Sequence, residues 1–202
     1  MRFRRFLLSA VLLVLVLSAA SGTAVWHWLG RTREIQSAQH RLSQQLDARW
    51  AAGAVRAVAT GPVARLHLPT IGEDFVVLDG PVPEDRGVSP ARIPGTAPIG
   101  AAGNTGIAAE RRPGLFWRLD RLGIGDPVVL ETQDTWFVYR VIEATVVRPE
   151  DGALLEPPPP GAGPRLTLMT GEPRLSTARR LVRQATLVRR DPRTGPRPTE
   201  LA

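Results

Sequence analysis

The sequence predicts a mainly β fold, a single closed β-barrel of about seven to eight strands with one or two short helices, preceded by a transmembrane helix and a helical stalk. Three observations lead there. An uncharged apolar run opens the chain. A polar stretch with an apolar stripe at three- and four-residue spacing follows it. From Val63 onward, short runs rich in β-branched residues are bounded by Pro, Gly and Asp, with almost no helical periodicity.

Taken in order, residues 1–5 carry Arg2, Arg4 and Arg5 and are expected on the cytoplasmic side. Residues 6–28 lie within an uncharged run from Phe6 to Gly30, long enough to cross a hydrocarbon core that takes roughly 20 helical residues. Trp26 and Trp28 fall where an interfacial aromatic belt sits, and Arg31 and Arg33 follow. The positive cluster before the span predicts a single-pass plasma-membrane protein whose remaining residues are extracytoplasmic. Ser18-Ala19-Ala20 offers the small residues of a cleavage site, so a cleaved signal peptide is the rival reading. The uncharged run continues well past that site, which favours a retained anchor.

Residues 29–61 form the expected stalk. Ile35, Leu42, Leu46 and Trp50 recur among Gln, Arg, Glu and Asp, and no Pro interrupts before Pro62. Such a helix either raises the domain off the membrane or packs back onto it. Residues 62–190 form the barrel, with strands expected at Val63–Leu68, Phe75–Leu78, Thr105–Ala109, Pro127–Glu131, Trp136–Val147, Arg165–Met169 and Leu181–Val188. The clearest hairpin turns at Gln133-Asp134. Leu115–Leu122, with Phe116, Leu119 and Leu122 on one face, reads as a short helix. Glu156 and the four prolines after it make a stiff connection into the Arg165 strand. Residues 191–202, rich in Pro, Arg and Thr, read as a disordered basic tail.

The formal net charge is +7, yet nucleic-acid binding is not the reading it supports. Every basic residue is Arg, and the arginines are scattered except at the N-terminus and over Arg179–Arg197. An Arg-rich surface suits anionic membrane headgroups. The chain contains no Cys, which excludes both disulfides and thiolate chemistry.

Several phrases, in order along the barrel segment, resemble the sortases, the membrane-anchored cysteine transpeptidases of bacteria. Ala64-Arg-Leu-His-Leu-Pro69 with Ile71-Gly72-Glu73-Asp74 is similar to the family's opening strand and its sequel. Ser89-Pro-Ala-Arg-Ile-Pro-Gly-Thr-Ala97 resembles the Gly-Pro-Gly-His-x-Pro-Gly-Thr-Ala phrase, and Gly103-Asn104 the Gly-Asn after it. Leu119–Asp126 resembles Leu-x-x-Leu-x-x-Gly-Asp, and Phe137–Val141 the Tyr-x-Tyr-x-Val strand. Leu166-Thr-Leu-Met-Thr170 resembles the strand that carries the nucleophile, and Arg180-Leu-Val182 the strand that carries the catalytic Arg.

The departures fall on the chemistry. The resemblance implies a catalytic Cys where this chain has Gly171, and a catalytic His where it has Glu110. The family Arg is matched by Arg180, with Arg179 beside it as the alternative. The family reaction needs a thiolate to attack a peptide carbonyl, a His to protonate the leaving amine and an Arg for the oxyanion. Gly171 supplies no nucleophile. Thr170 and Ser176 offer hydroxyls, which need a neighbouring base. His27, His40 and His67 do not match the family His and read as structural.

Glu110, Thr170, Glu172 and Arg180 are the candidate cleft residues. One arrangement is an Arg180–Glu110 salt bridge plugging a vestigial cleft. Another is a recognition pocket for a peptide or cell-wall fragment, and a third is a paired-carboxylate hydrolase. No ligand spacing points to a metal, and no cofactor is expected. Arg111-Arg112 beside Pro113 reads as a solvated loop. The function expected is binding of a sorting-signal-like peptide, a cell-wall fragment or an active homologue. A divergent hydrolase or transpeptidase using Glu110 with a hydroxyl or water is the alternative, and an envelope scaffold the second.

Overall fold

In a computed structural model, residues 30–53, 60–80 and 87–202 are described. The expected cytoplasmic N-terminus (1–5) and transmembrane segment (6–28) lie outside them. Among the described residues no helix is long and apolar enough to cross a membrane.

A helix, α1 (residues 30–51), precedes eight strands. These are β1 (Gly61–Leu68), β2 (Glu73–Asp79), β3 (Ala91–Arg92), β4 (Asn104–Ala108), β5 (Pro127–Glu131), β6 (Thr135–Val147), β7 (Arg165–Glu172) and β8 (Arg179–Pro192). They close into one barrel in the order β1-β2-β3-β4-β7-β8-β6-β5. All seven anticipated strands are present. The added one, β3, has two residues and joins β2 to β4, pairing parallel to the first and antiparallel to the second. The expected β5–β6 hairpin forms with Glu131 opposite Trp136. The short helix after β4 is a 3-10 helix, Phe116–Arg121, whose Phe116 and Leu119 plug one end of the barrel.

Strand alternation explains the core. Leu66 and Leu68 on β1, Val128 and Leu130 on β5, Leu166 and Leu168 on β7, and Leu181 and Ala185 on β8 all point inward and are essentially fully buried. Ile107 on β4 joins them.

The stalk region is packed back on the barrel. Its stripe of Leu42, Leu46 and Trp50 seats on Val76 and Leu78 of β2. Burying Leu42 and Leu46 contributes about 1.5–3 kcal/mol each. The Gln39 amide then bridges two segments, accepting from the Val76 N–H (2.8 Å) and donating to the Val88 carbonyl (2.9 Å). Ile35 packs over Gly114, whose φ of +86° suits a residue without Cβ.

The segment expected as a disordered basic tail, 191–202, is ordered. β8 continues to Pro192, and the Arg193 Nε donates to Glu131 at 2.7 Å. Glu200 pairs with Arg189 (2.9 Å) and Arg140 (3.4 Å), while Leu201 packs against Val129, Trp136 and Val138. Arg193 has an acid to meet on the barrel and Glu200 has two arginines there, so composition alone misjudged the segment.

Candidate functional site

Three neighbouring strands, β4, β7 and β8, carry the matched family positions on the barrel's outer face. Because Ile107, Leu166, Leu168 and Leu181 point inward, the alternating residues Ala108, Met169, Gly171 and Arg180 point outward. β4 runs parallel to β7 with Ala108 opposite Met169, and the chain continues from Ala108 to Glu110. β7 runs antiparallel to β8 with Gly171 directly opposite Arg180. Glu110, Gly171 and Arg180 therefore lie side by side and line one cleft of about 1090 Å³. Its other walls come from β2, β3 and the segment 175–177. Arg179, the alternative for the family Arg, stands opposite Glu172, is exposed, and does not line the cleft.

Gly171 is constrained by a close approach. A Cβ built there would overlap the backbone carbonyl oxygen of Ser176. The obstacle is main chain, so no rotamer change of a neighbour relieves it. The segment after β7 turns back over the strand's end, with the Ser176 N–H donating to the Pro173 carbonyl (3.0 Å) and the Leu175 N–H to the Arg111 carbonyl (3.2 Å). Arg174 holds the same segment from outside, over the Trp117 ring (4.7 Å) and in an ion pair with Asp120 (3.2 Å).

The expected Arg180–Glu110 salt bridge is not formed. Glu110 pairs with Arg112, two residues along its own loop. Arg180 instead donates to the Thr177 carbonyl at 3.3 Å. Glu172, expected beside Arg180, does not line the cleft and pairs with Arg111.

Arg111 itself departs from the solvated-loop expectation: its side chain is 4% exposed and also pairs with Asp120 at 3.2 Å. Two carboxylates from β7 and the 3-10 helix draw it inward, and that cluster ties the Glu110 loop to the end of β7. Below it, burial, with Arg111 adding to the effect, pushes the Arg183 guanidinium below its ordinary value despite Asp120. Arg183 donates to the carbonyls of Leu122 (2.5 Å) and Asp120 (2.9 Å).

The hydroxyls are engaged as well. Thr170 is buried and donates to the Ala109 carbonyl at 2.8 Å, which locks β7 to the Glu110 loop. Ser176 Oγ accepts from the Ala178 N–H at 3.1 Å. Among the described residues the carboxylates lining the cleft are Asp79 and Glu110. Asp79 pairs with Arg92 at 2.8 Å, and Glu110 is held by Arg112. Among the described residues no His lines the cleft.

His67 stands elsewhere, on β1. Its Nδ1 meets Asp74 at 2.7 Å and its Nε2 lies 3.4 Å from Glu131. Burial pulls its pKa down, but Asp74 and Glu131 together outweigh burial and hold it above 6.5. This is the structural role expected of it. Of the cleft's charged residues, the sequence reading missed Asp79, Arg92 and the paired state of Arg111. The Arg and Asp types gave a signal, but their partners lie far off in sequence.

The comparisons with known proteins agree with this architecture. The sortase domain profile matches residues 66–188. Sortase SrtE1 of Streptomyces coelicolor is 29% identical over 160 residues, 68% of this chain. The chain spans 44% of that relative's length. The structure of sortase E from Streptomyces avermitilis is 29% identical, with a TM-score of 0.61 over 70% of this chain and 97% of that one. Sortase E1 from Streptomyces coelicolor, solved with a tripeptide in the active site, is 28% identical, with a TM-score of 0.62 over 70% of this chain and 96% of that one. The matched profile covers more than half of the 202 residues, and the chain belongs to the sortase family.

Proposed function

We propose that this chain is a membrane-anchored, extracytoplasmic sortase-family domain that binds an extended peptide in the cleft beside Gly171 and performs no cysteine transpeptidation. The observation that carries the reading is at Gly171. The chain has no Cys, and the place a nucleophile's Cβ would take at this position is filled by the Ser176 carbonyl. The described cleft carboxylates that could serve a substitute hydroxyl as base are held in ion pairs, Glu110 by Arg112 and Asp79 by Arg92.

Peptide binding is supported by the cleft, whose volume of about 1090 Å³ lies just above the range of roughly 300–1,000 Å³ typical of small-molecule pockets. The tripeptide in the active site of the Streptomyces coelicolor relative supports the same ligand class. The uncharged run over residues 6–28, with arginines before it, supports the anchor and the outward orientation.

The test uses the full chain in detergent micelles with fluorescently labelled extended peptides, following binding by polarisation and peptide mass by mass spectrometry. Saturable binding with unchanged peptide mass is expected. Turnover that Glu110→Gln abolishes would establish the divergent-enzyme alternative instead. The absence of any binding would favour the scaffold.

A further inference from the structure

Among the described residues four guanidiniums line the cleft, from Arg92, Arg111, Arg112 and Arg180. Three are matched by acids. Arg92 pairs with Asp79, Arg111 with Glu172 and Asp120, and Arg112 with Glu110. Arg180 is different. Among the described residues no carboxylate reaches it, and it donates one bond to a neutral carbonyl, that of Thr177. A guanidinium offers five N–H donors in a planar fork suited to a carboxylate, and here most of them are unused. The residue directly opposite on β7 is Gly171, so no side chain from that position covers the fork.

Apolar side chains share the cleft with it. Met169 and Ala108 lie on the same outward face, and Leu175 also lines the cleft with 70% of its surface exposed. Leu175 is also the one described non-glycine residue in the left-handed backbone region, at φ +61°. That conformation is disfavoured for a residue with a bulky side chain. The exposed leucine is held there by the Leu175 N–H bond to Arg111 and by Arg174 on Trp117. An apolar side chain held in the same cleft as a cation that meets no acid among the described residues recognises an anionic group with an apolar neighbour.

We infer that the cleft takes a ligand carboxylate on Arg180, with an adjacent apolar side chain of the ligand against Leu175 and Met169. This rests on the peptide-binding reading above and adds the chemistry of the group recognised. A carboxylate can come from a peptide's C-terminus or from an acidic side chain, and the shared chemistry is the same.

The experiment uses the full chain in detergent micelles and three probes: acetyl-Ala-Leu-Ala with a free C-terminal acid, the same peptide as its amide, and acetyl-Ala-Glu-Leu-Ala amide. Affinities are measured by calorimetry for the wild type, Arg180→Gln, Arg180→Lys and Arg179→Gln. A charge-assisted contact predicts that a carboxylate peptide binds about tenfold or more tighter than the neutral amide. Which acid gains identifies the source. Arg180→Gln should erase the difference, Arg180→Lys should keep part of it, and Arg179→Gln, with the same loss of net charge, should keep all of it. Unchanged thermal midpoints establish that the variants are folded.

If the neutral amide binds as tightly as both acids, or if the preference survives Arg180→Gln, the carboxylate site is wrong while peptide binding stands. If none of the three binds, peptide binding falls with it.

Discussion

Replacing Gly171 by Ala isolates the closest approach in the cleft. In a β-strand interior Ala is normally the better residue, favoured over Gly by roughly 0.5–1 kcal/mol through lower chain entropy. Position 171 is not in the left-handed region, so the backbone itself would accept Ala. The added methyl, however, meets the main-chain oxygen of Ser176. Forcing atoms into a filled site costs typically about 1–3 kcal/mol. The overlap outweighs the propensity gain, and the net expectation is a loss of roughly 0.5–2 kcal/mol. In a domain of this size that lowers the thermal midpoint by about 2–6 °C. Urea and thermal unfolding followed by tryptophan fluorescence measure it. Gly123→Ala is the control, because its Cβ would meet nothing nearer than Asp126 at 3.7 Å. A Gly171→Ala protein as stable as wild type, or stabilised like the control, would show that the segment over Gly171 does not sit there.

The same contact predicts that the double change Gly171→Cys with Glu110→His gains no transpeptidase or hydrolase activity. The introduced Cβ would meet the Ser176 backbone, and a mass-spectrometric turnover assay with thiol-titration kinetics checks it. Arg111→Gln should destabilise the fold by about 2–4 kcal/mol, less than for a wholly buried triad because Glu172 and Asp120 are 30% and 37% exposed; urea unfolding reads it. The His67 network makes stability depend on pH from both sides. His67 is raised above 6.5, so its contribution is complete below that value and is lost as pH rises through the folded value. Asp74 is lowered from 3.8, first by its bond to His67. Glu131 is lowered from 4.5 because His67 and Arg193 outweigh burial. Both contributions are present above those values and lost as pH falls through the folded ones. Urea midpoints should fall on either side of an acid-to-neutral optimum, and His67→Gln should flatten the alkaline slope.

How legible each part was in the sequence follows from how local its causes are. The seven anticipated strands are runs of β-branched and apolar residues ended by Gly, Pro or Asp, signals that act within a few residues. β3 has no such signal. Ala91–Arg92 is a strand because β2 and β4 lie on either side of it. The tail misled because a Pro- and Arg-rich composition is common to disordered and docked segments, and Glu200 and Leu201 reveal their partners only when β6 and β8 are side by side. In the cleft, the positions of Glu110, Gly171 and Arg180 could be read from phrases tied to strands. Their partners could not. Glu110 had Arg112 and Arg180 as rival cations, and the path of one loop decided for Arg112. Nor does any sequence pattern announce that the Ser176 carbonyl stands over Gly171.

The central claim, that the cleft binds peptide and leaves it intact, has a built-in reporter. The chain contains two methionines, Met1 and Met169, and Met169 lines the cleft. Methyl NMR of the full chain labelled at the methionine ε-carbon, titrated with an extended peptide, observes the site and the peptide in one sample. The account predicts a saturable shift of the Met169 methyl signal with peptide resonances unchanged over days. A Met169 signal that never moves, or a peptide that is cleaved or joined while it does, would contradict it.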